Sequence, residues 1–270
     1  MHNSLFHISL GNKVLDTQRR FGGIARLYGQ QALERFAHSH VAVIGVGGVG
    51  SWAVEGLARS GIGALTLYDL DHIAESNVNR QLHAIEENFG LAKVSALAER
   101  VLAINPTSRV TPVETFIEEE SLQLLADGGF NYVMDCIDNF RTKAALIAFC
   151  RRNKIAVITV GGAGGQTDPT KIQLADLSRS EQDPLLSKTR KLLRKEYAFS
   201  SNPRRRFDVP CIYSTEQQVY PDSEGAVCLD RPTAVESSLN CGGFGSAMTV
   251  TASFGLVAVS HVLKRLSAPG

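Results

Sequence analysis

The sequence predicts an α/β fold: a Rossmann-like, mostly parallel sheet with helices on both faces, plus a smaller C-terminal β/α extension. Three observations carry this. Apolar runs at 41–44, 64–71, 130–138 and 155–160 alternate with segments of helical periodicity, and such βα repeats impose parallel strands with right-handed crossovers. The first run passes through a glycine-rich turn at 45–50 into an amphipathic helix carrying Trp52, Val54, Leu57 and Ala58. Gly45, Asp69 and Asp138 each fall just beyond a strand end, where ligands of such sheets bind.

The glycine turn organises the chain. Gly45, Gly47, Gly48 and Gly50 let the backbone approach a phosphate without a Cβ clash, and free N–H groups at the helix start attract negative charge. The pattern predicts a bound nucleotide without distinguishing NAD from ATP. Before it, residues 1–18 show no clean periodicity, 18–29 cluster Arg19, Arg20 and Arg26 around a glycine pair, and 30–38 read as a helix. The second strand ends in Asp69 and Asp71. Asp69 lies 24 residues after Gly45, where a ribose-binding acid is expected, although an acid at a strand end is also an ordinary solvated cap.

Residues 72–106 begin as the polar loop SNVNRQ and continue as a helix from Leu91 to Ile104, stopped by Pro106. A short strand at 110–113 carries Pro112, and a helix follows at 118–126. The strand at 130–138, a helix at 141–153 and the strand at 155–160 lead to the loop GGAGGQTDP (161–169), which reads equally as a tight connection or a functional one. A strand at 171–177 precedes a basic stretch, 188–206, with eight Lys or Arg and one acid; it fits a solvated face or a polyanion contact. Short strands at 209–221 and 225–230, the loop NCGGFG and a final apolar helix complete the chain.

Composition excludes several classes. The chain has 270 residues, 44% apolar and 20% charged, with formal net charge +1, so bulk charge gives no argument for nucleic acid. Its five cysteines, at 136, 150, 211, 228 and 241, form no C-x-x-C pair, so neither a disulfide framework nor a four-cysteine zinc site is expected, and a reducing cytoplasm is. Residues 241–263 lack Asp, Glu, Lys and Arg and meet a hydropathy filter for a membrane span. Their Gly, Ser and Thr content makes them a buried helix instead.

The glycine turn, D-L-D, S-N-V-N-R-Q, G-L-A-K-V and D-C-I-D-N, in this order, resemble the ubiquitin-activating-type adenylation family, which includes the activators of molybdopterin and thiamin sulfur carriers. The resemblance covers about 18–165 and implies ATP with Mg2+ rather than NAD. By position it implies a nucleotide site of Gly45, Gly47, Gly48, Gly50, Asp69, Asp71, Asn77, Arg80, Gln81, Lys93 and Asp138, with Asn77, Arg80 and Lys93 on phosphates and Asp138 beside magnesium. It also implies a homodimer in which an N-terminal arginine, Arg20 before Arg26, completes the partner's site. Gly23 and Ile24 replace the family's usual R-Q pair there.

Sulfur-carrier activators carry two zinc-binding C-x-x-C pairs, and this chain has none, so no zinc is expected. Its basic insertion, the GGAGGQTDPT loop and its ending look like the branch that adenylates the carboxylate of N6-threonylcarbamoyladenosine, next to the anticodon of tRNA, and closes it into a ring. The expected partners are therefore tRNA and a second copy, with a cysteine desulfurase and its sulfur acceptor as associates. The alternative is an activator of a ubiquitin-like sulfur carrier. Cys241, in a glycine loop before the last helix, reads as a packing residue or as a thiol activated by that helix start. The expected organisation is an adenylation core with its N-terminal segment over 1–165 and an extension over 166–270, packed as one globular unit.

Overall fold

A computed structural model describes residues 16–222, 224–229 and 244–268. Two helices, α1 (Thr17–Tyr28) and α2 (Gln30–His38), precede the sheet; Asp16 caps α1 by accepting the Arg19 N–H at 3.0 Å. The elements that follow are β1 (His40–Ile44), α3 (Gly50–Arg59), β2 (Ala64–Tyr68), α4 (Lys93–Ile104), β3 (Arg109–Val113), α5 (Gln123–Asp127), β4 (Tyr132–Asp135), α6 (Phe140–Arg152) and β5 (Val157–Val160). The extension adds β6 (Ile172–Asp176), α7 (Pro184–Glu196), β7 (Pro210–Ser214), the hairpin β8 (Tyr220–Pro221) and β9 (Val227–Cys228), and α8 (Met248–Ser267).

One sheet has the order β3-β2-β1-β4-β5-β7-β6. All of its pairs are parallel except β6 with β7. The extension thus continues the sheet of the first half. Successive β1 residues point to opposite faces, as the pleat requires. Val41 and Val43 join Val54 and Leu57 of α3, Leu97 of α4 and Phe254 and Val262 of α8 in one core. Ala42 and Ile44 join Leu146 and Ile147 of α6 and Leu186 and Leu193 of α7 in the other. Burial on both faces is why the central strands read as continuous apolar runs.

Several expected elements take a different form. The segment 17–28 is a full helix, although Gly22 and Gly23 weaken its propensity; the buried Phe21 docks it, so tertiary packing overrides the local preference. The helix expected at 118–126 is a 3-10 turn, Glu119–Ser121, followed by the short α5. The strand at 130–138 narrows to β4, because the chain must leave the sheet before Asp138. The strand at 209–221 divides into β7 and β8. The apolar C-terminal segment lies over the sheet as α8, and among the described residues no helix is long and apolar enough to cross a membrane.

Candidate active site

The strand order reverses between β1 and β4, and the crevice beyond the strand ends there is where an open α/β sheet accommodates a ligand. The glycine turn forms one wall. Gly45 holds φ +82°, a left-handed conformation that side chains resist, and its N–H donates to the Tyr68 oxygen at 2.8 Å. At Gly50 a Cβ would stand 1.9 Å from the Gly45 oxygen, so only glycine lets α3 start this close to β1. No side chain caps α3; the Ser51 N–H donates to the Gly47 oxygen at 3.1 Å, and the positive end of the helix attracts an anion.

Asp69 closes the turn from below. Its Oδ2 accepts the Val46 N–H at 2.8 Å and its Oδ1 the Asp71 N–H at 2.9 Å. Burial pushes its pKa above the usual carboxylate range, against the opposing pull of Lys93 and these two N–H groups. Lys93, the first residue of α4, has a buried side chain whose Nζ pairs with Asp71 Oδ2 at 2.7 Å. The α4 start is further fixed by the Lys93 N–H donating to the Asp71 oxygen at 3.1 Å.

The SNVNRQ loop supplies the next wall. Buried Asn77 accepts the Ala74 N–H at 3.1 Å, shaping a 3-10 turn over Glu75–Asn77. The Arg80 stem passes Gly48, 3.4 Å from where a Cβ would stand, so the side chain lies along the glycine turn. Its Nη1 donates to the Ser76 oxygen at 2.8 Å and to Asn79 Oδ1 at 3.0 Å, and its backbone oxygen accepts from the Trp52 indole at 3.0 Å. Gln81 is buried beside Gly47, with its amide bonded to His83 Nε2 at 3.1 Å. The start of α8 is tied to this loop, since Asn79 Nδ2 donates to the Ser246 oxygen at 2.7 Å.

Beyond β4, Asp138 is exposed, with no hydrogen bond or ion pair among the described residues. Its turn stands on a fully buried trio that the sequence reading missed. Lys143 Nζ meets Asp135 Oδ2 at 2.8 Å and Thr159 Oγ1 at 3.0 Å, and the Thr159 hydroxyl donates to Asp135 Oδ2 at 2.6 Å. Asp135 Oδ1 then accepts the Ile137 N–H at 3.1 Å, immediately before Asp138. Lys143, Ile147 and Cys150 share the buried stripe of α6, and a lysine on an apolar stripe is the signal that marks the trio in sequence. Asp183, also missed, accepts the Gly162 N–H at 2.9 Å and fastens the glycine-rich loop after β5.

The glycine turn, Asp69, Asp71, Asn77, Arg80, Gln81, Lys93 and Asp138 therefore come together at one end of β2, β1 and β4. Arg20 does not join them. Its Nη1 donates to the Ile104 oxygen at the far end of α4. Arg26 is exposed near the end of α1. Cys241 lies outside the described residues. Burial pushes the thiols of Cys136, Cys150 and Cys211 up to about 12, so these three are inert at neutral pH. Among the described residues no cluster of three or more His, Cys, Asp or Glu could hold a metal.

Comparison with known proteins agrees with this geometry. Residues 19–270 match the ThiF family. The chain is 51% identical to tRNA threonylcarbamoyladenosine dehydratase of Escherichia coli K12, covering 93% of this chain and 94% of the relative. It is 49% identical to the enzyme of the same name from Haemophilus influenzae, over 96% and 97%. A crystal structure of the E. coli dehydratase, TcdA, in complex with ATP superposes with TM-score 0.83 at 49% identity, over 92% and 94% of the two chains. The glycine turn, the acid-bearing strand ends and the match over nearly the whole length make this chain a member of the ThiF family.

Proposed function

We propose that this protein uses ATP to cyclise N6-threonylcarbamoyladenosine in tRNA, the activity its bacterial relatives are named for. The carrying observation is the convergence of the glycine turn, Asp69, Arg80, Lys93 and Asp138 at the ends of three adjacent parallel strands. In the first step a side-chain carboxylate oxygen attacks the α-phosphorus of ATP; the bond to the β-phosphate oxygen breaks and pyrophosphate leaves. In the second, a nucleophile of the same side chain attacks the activated carbonyl, and AMP departs with the former carboxylate oxygen. No external acceptor is required, because an intramolecular nucleophile has a very high effective concentration.

The assigned roles follow from chemistry. The glycine turn and the start of α3 cradle phosphate, and Asp69 retains acceptor capacity for ribose hydroxyls. Arg80 and Lys93 stabilise charge that grows on phosphate oxygens as the bond to the leaving group breaks. Asp138, an exposed carboxylate with no competing partner among the described residues, suits Mg2+, which binds through one or two carboxylates together with substrate phosphates. That ion would supply charge neutralisation of the leaving pyrophosphate.

The homodimer, with Arg20 completing the second copy's site, rests on the family resemblance; within one chain Arg20 bonds the Ile104 oxygen at the end of α4, away from the crevice. A cysteine desulfurase and its sulfur acceptor remain partners by resemblance alone, and the tRNA substrate places the reaction in the cytoplasm. Nucleoside mass spectrometry of tRNA from cells lacking this chain tests the whole reading. The cyclic nucleoside should disappear, and return with the unaltered gene but not with Lys93→Ala. Persistence of the cyclic base in the deleted strain would refute the assignment.

A further inference from the structure

Six of the eight basic residues between 188 and 206 divide into two groups; Arg204 and Arg205 are exposed in the loop after α7. Arg190 bonds the Ser180 hydroxyl, Arg194 lies 5.2 Å over the Phe207 ring, and Arg206 faces Asp176 at 4.0 Å. Arg190 and Arg194 are thereby committed within the extension, whereas the Arg206 pair is long and its guanidinium exposed. Lys188, Lys191 and Lys195 instead stay exposed, at spacings of three and four residues that place them on one stripe of α7. Packed alongside is α6, with exposed Arg141 in its first turn and exposed Arg151 and Arg152 in its last.

Two contacts fix how the helices run. At one end, Arg141 and Lys188 both lie over the Phe140 ring, at 5.6 and 5.8 Å. Phe140 is two residues from Asp138, so this end is the rim of the crevice. At the other, Arg151 and Arg152 share a cleft of about 430 Å³ with Tyr197 and Phe199, just past the end of α7. The 13 residues of α6 separate the two ends by about 20 Å. Two acids interrupt the stripe. Glu196 stands 3.6 Å from Lys195, and Asp208 3.5 Å from Arg151. Both pairs are exposed, and such pairs are weak enough to yield to a phosphate.

We infer that the α6–α7 seam is a phosphate track for tRNA, leading from the rim beside Asp138 to the arginine cleft at the far end of the two helices. This rests on the functional reading above. The chain as a whole carries only +1, so its grip on a polyanion depends on where the cations gather, and here they line a path that starts at the reacting end. Since the RNA must deliver one nucleoside to the crevice, its flanking backbone has to leave along some surface. This seam begins at the crevice and matches the backbone in charge.

The test measures tRNA binding to the full chain by fluorescence anisotropy across a salt series. Lys188→Ala/Lys191→Ala/Lys195→Ala should lower affinity at least tenfold at low salt. It should flatten the slope of log K against log salt by about two, because each lost phosphate contact removes about 0.7–0.9. The equivalent Lys→Arg triple should restore both. Lys264→Ala/Arg265→Ala, at the far end of α8, should leave both unchanged. Thermal unfolding checks that the alanine triple still folds. An unchanged slope in a folded alanine triple, or equal losses in the α8 control, overturns the track. If the unaltered chain releases no AMP with modified tRNA, the functional reading has failed; if it does so while the triple keeps its slope, only the track has failed.

Discussion

Lys93 and Asp71 are an unequal couple. The lysine side chain is 6% exposed, its partner 56%. Removing the lysine leaves a solvated carboxylate, which costs little, whereas removing the aspartate strands a buried ammonium. Lys93→Met should therefore fold nearly as well as the unaltered chain. Its rate of AMP release with modified tRNA should fall on the order of 10²–10³-fold, the usual cost of losing one fixed donor to a charged transition state. Asp138→Ala should lose a similar factor for a different reason, since this carboxylate makes no bond among the described residues to lose. Its urea midpoint should match the unaltered chain's. A large stability loss in Asp138→Ala, or AMP release within a fewfold of normal in either variant, would contradict these roles.

Elements position these residues, and α7 shows how. Its N-cap, Asp183, is 4% exposed. Oδ1 accepts the Leu186 N–H at 2.8 Å, and Oδ2 reaches back across the chain to Gly162. One carboxylate thus starts a helix and anchors the loop after β5. Asp183→Ala should cost about 2–4 kcal/mol, combining a lost cap with a lost charge-assisted bond. Asp183→Asn, which keeps one acceptor oxygen, should cost clearly less; urea unfolding of both variants decides. This double role was invisible in sequence, because its second partner lies 21 residues upstream. For Lys143 only its place on the apolar stripe of α6 could be read; its partners Asp135 and Thr159 come from two neighbouring strands. What could be read in advance was local: the strand–turn–helix at 41–59, the acid at 69 and the lysine opening α4 each carry their meaning within one βα unit. What could not be read depends on which strands become neighbours, including how β6 and β7 extend the sheet. It also covers the helix at 17–28, which exists because Phe21 finds a core.

At the scale of the molecule, one sheet separates two apolar cores, and net stability is the small remainder of large opposing terms, so a single buried titratable group can govern it. His83 is that group. It is 2% exposed, bonded through Nε2 to Gln81, while its Nδ1 has no partner among the described residues. Burial first, and the charge of Lys93 second, push its pKa down from 6.5 to about 4. Between about pH 6.5 and 4 the unfolded chain binds a proton at this residue and the folded chain does not. Stability is therefore complete above about 6.5 and is lost as the pH falls towards 4, by about 3 kcal/mol from this residue. His40 and His261 are also shifted down by burial and act in the same direction. Asp69 and Asp183, shifted up by burial, have the opposite sign, favouring the fold at lower pH and withdrawing that support as they ionise. Urea midpoints across this range should fall with acidification, and His83→Gln, which cannot take up the proton, should flatten the decline. Because His83 touches Gln81 beside the glycine turn, protonation should also loosen the crevice, so nucleotide affinity should decline over the same interval in the unaltered chain and less steeply in the variant. Parallel midpoint curves for the two proteins would remove His83 as the source of acid sensitivity.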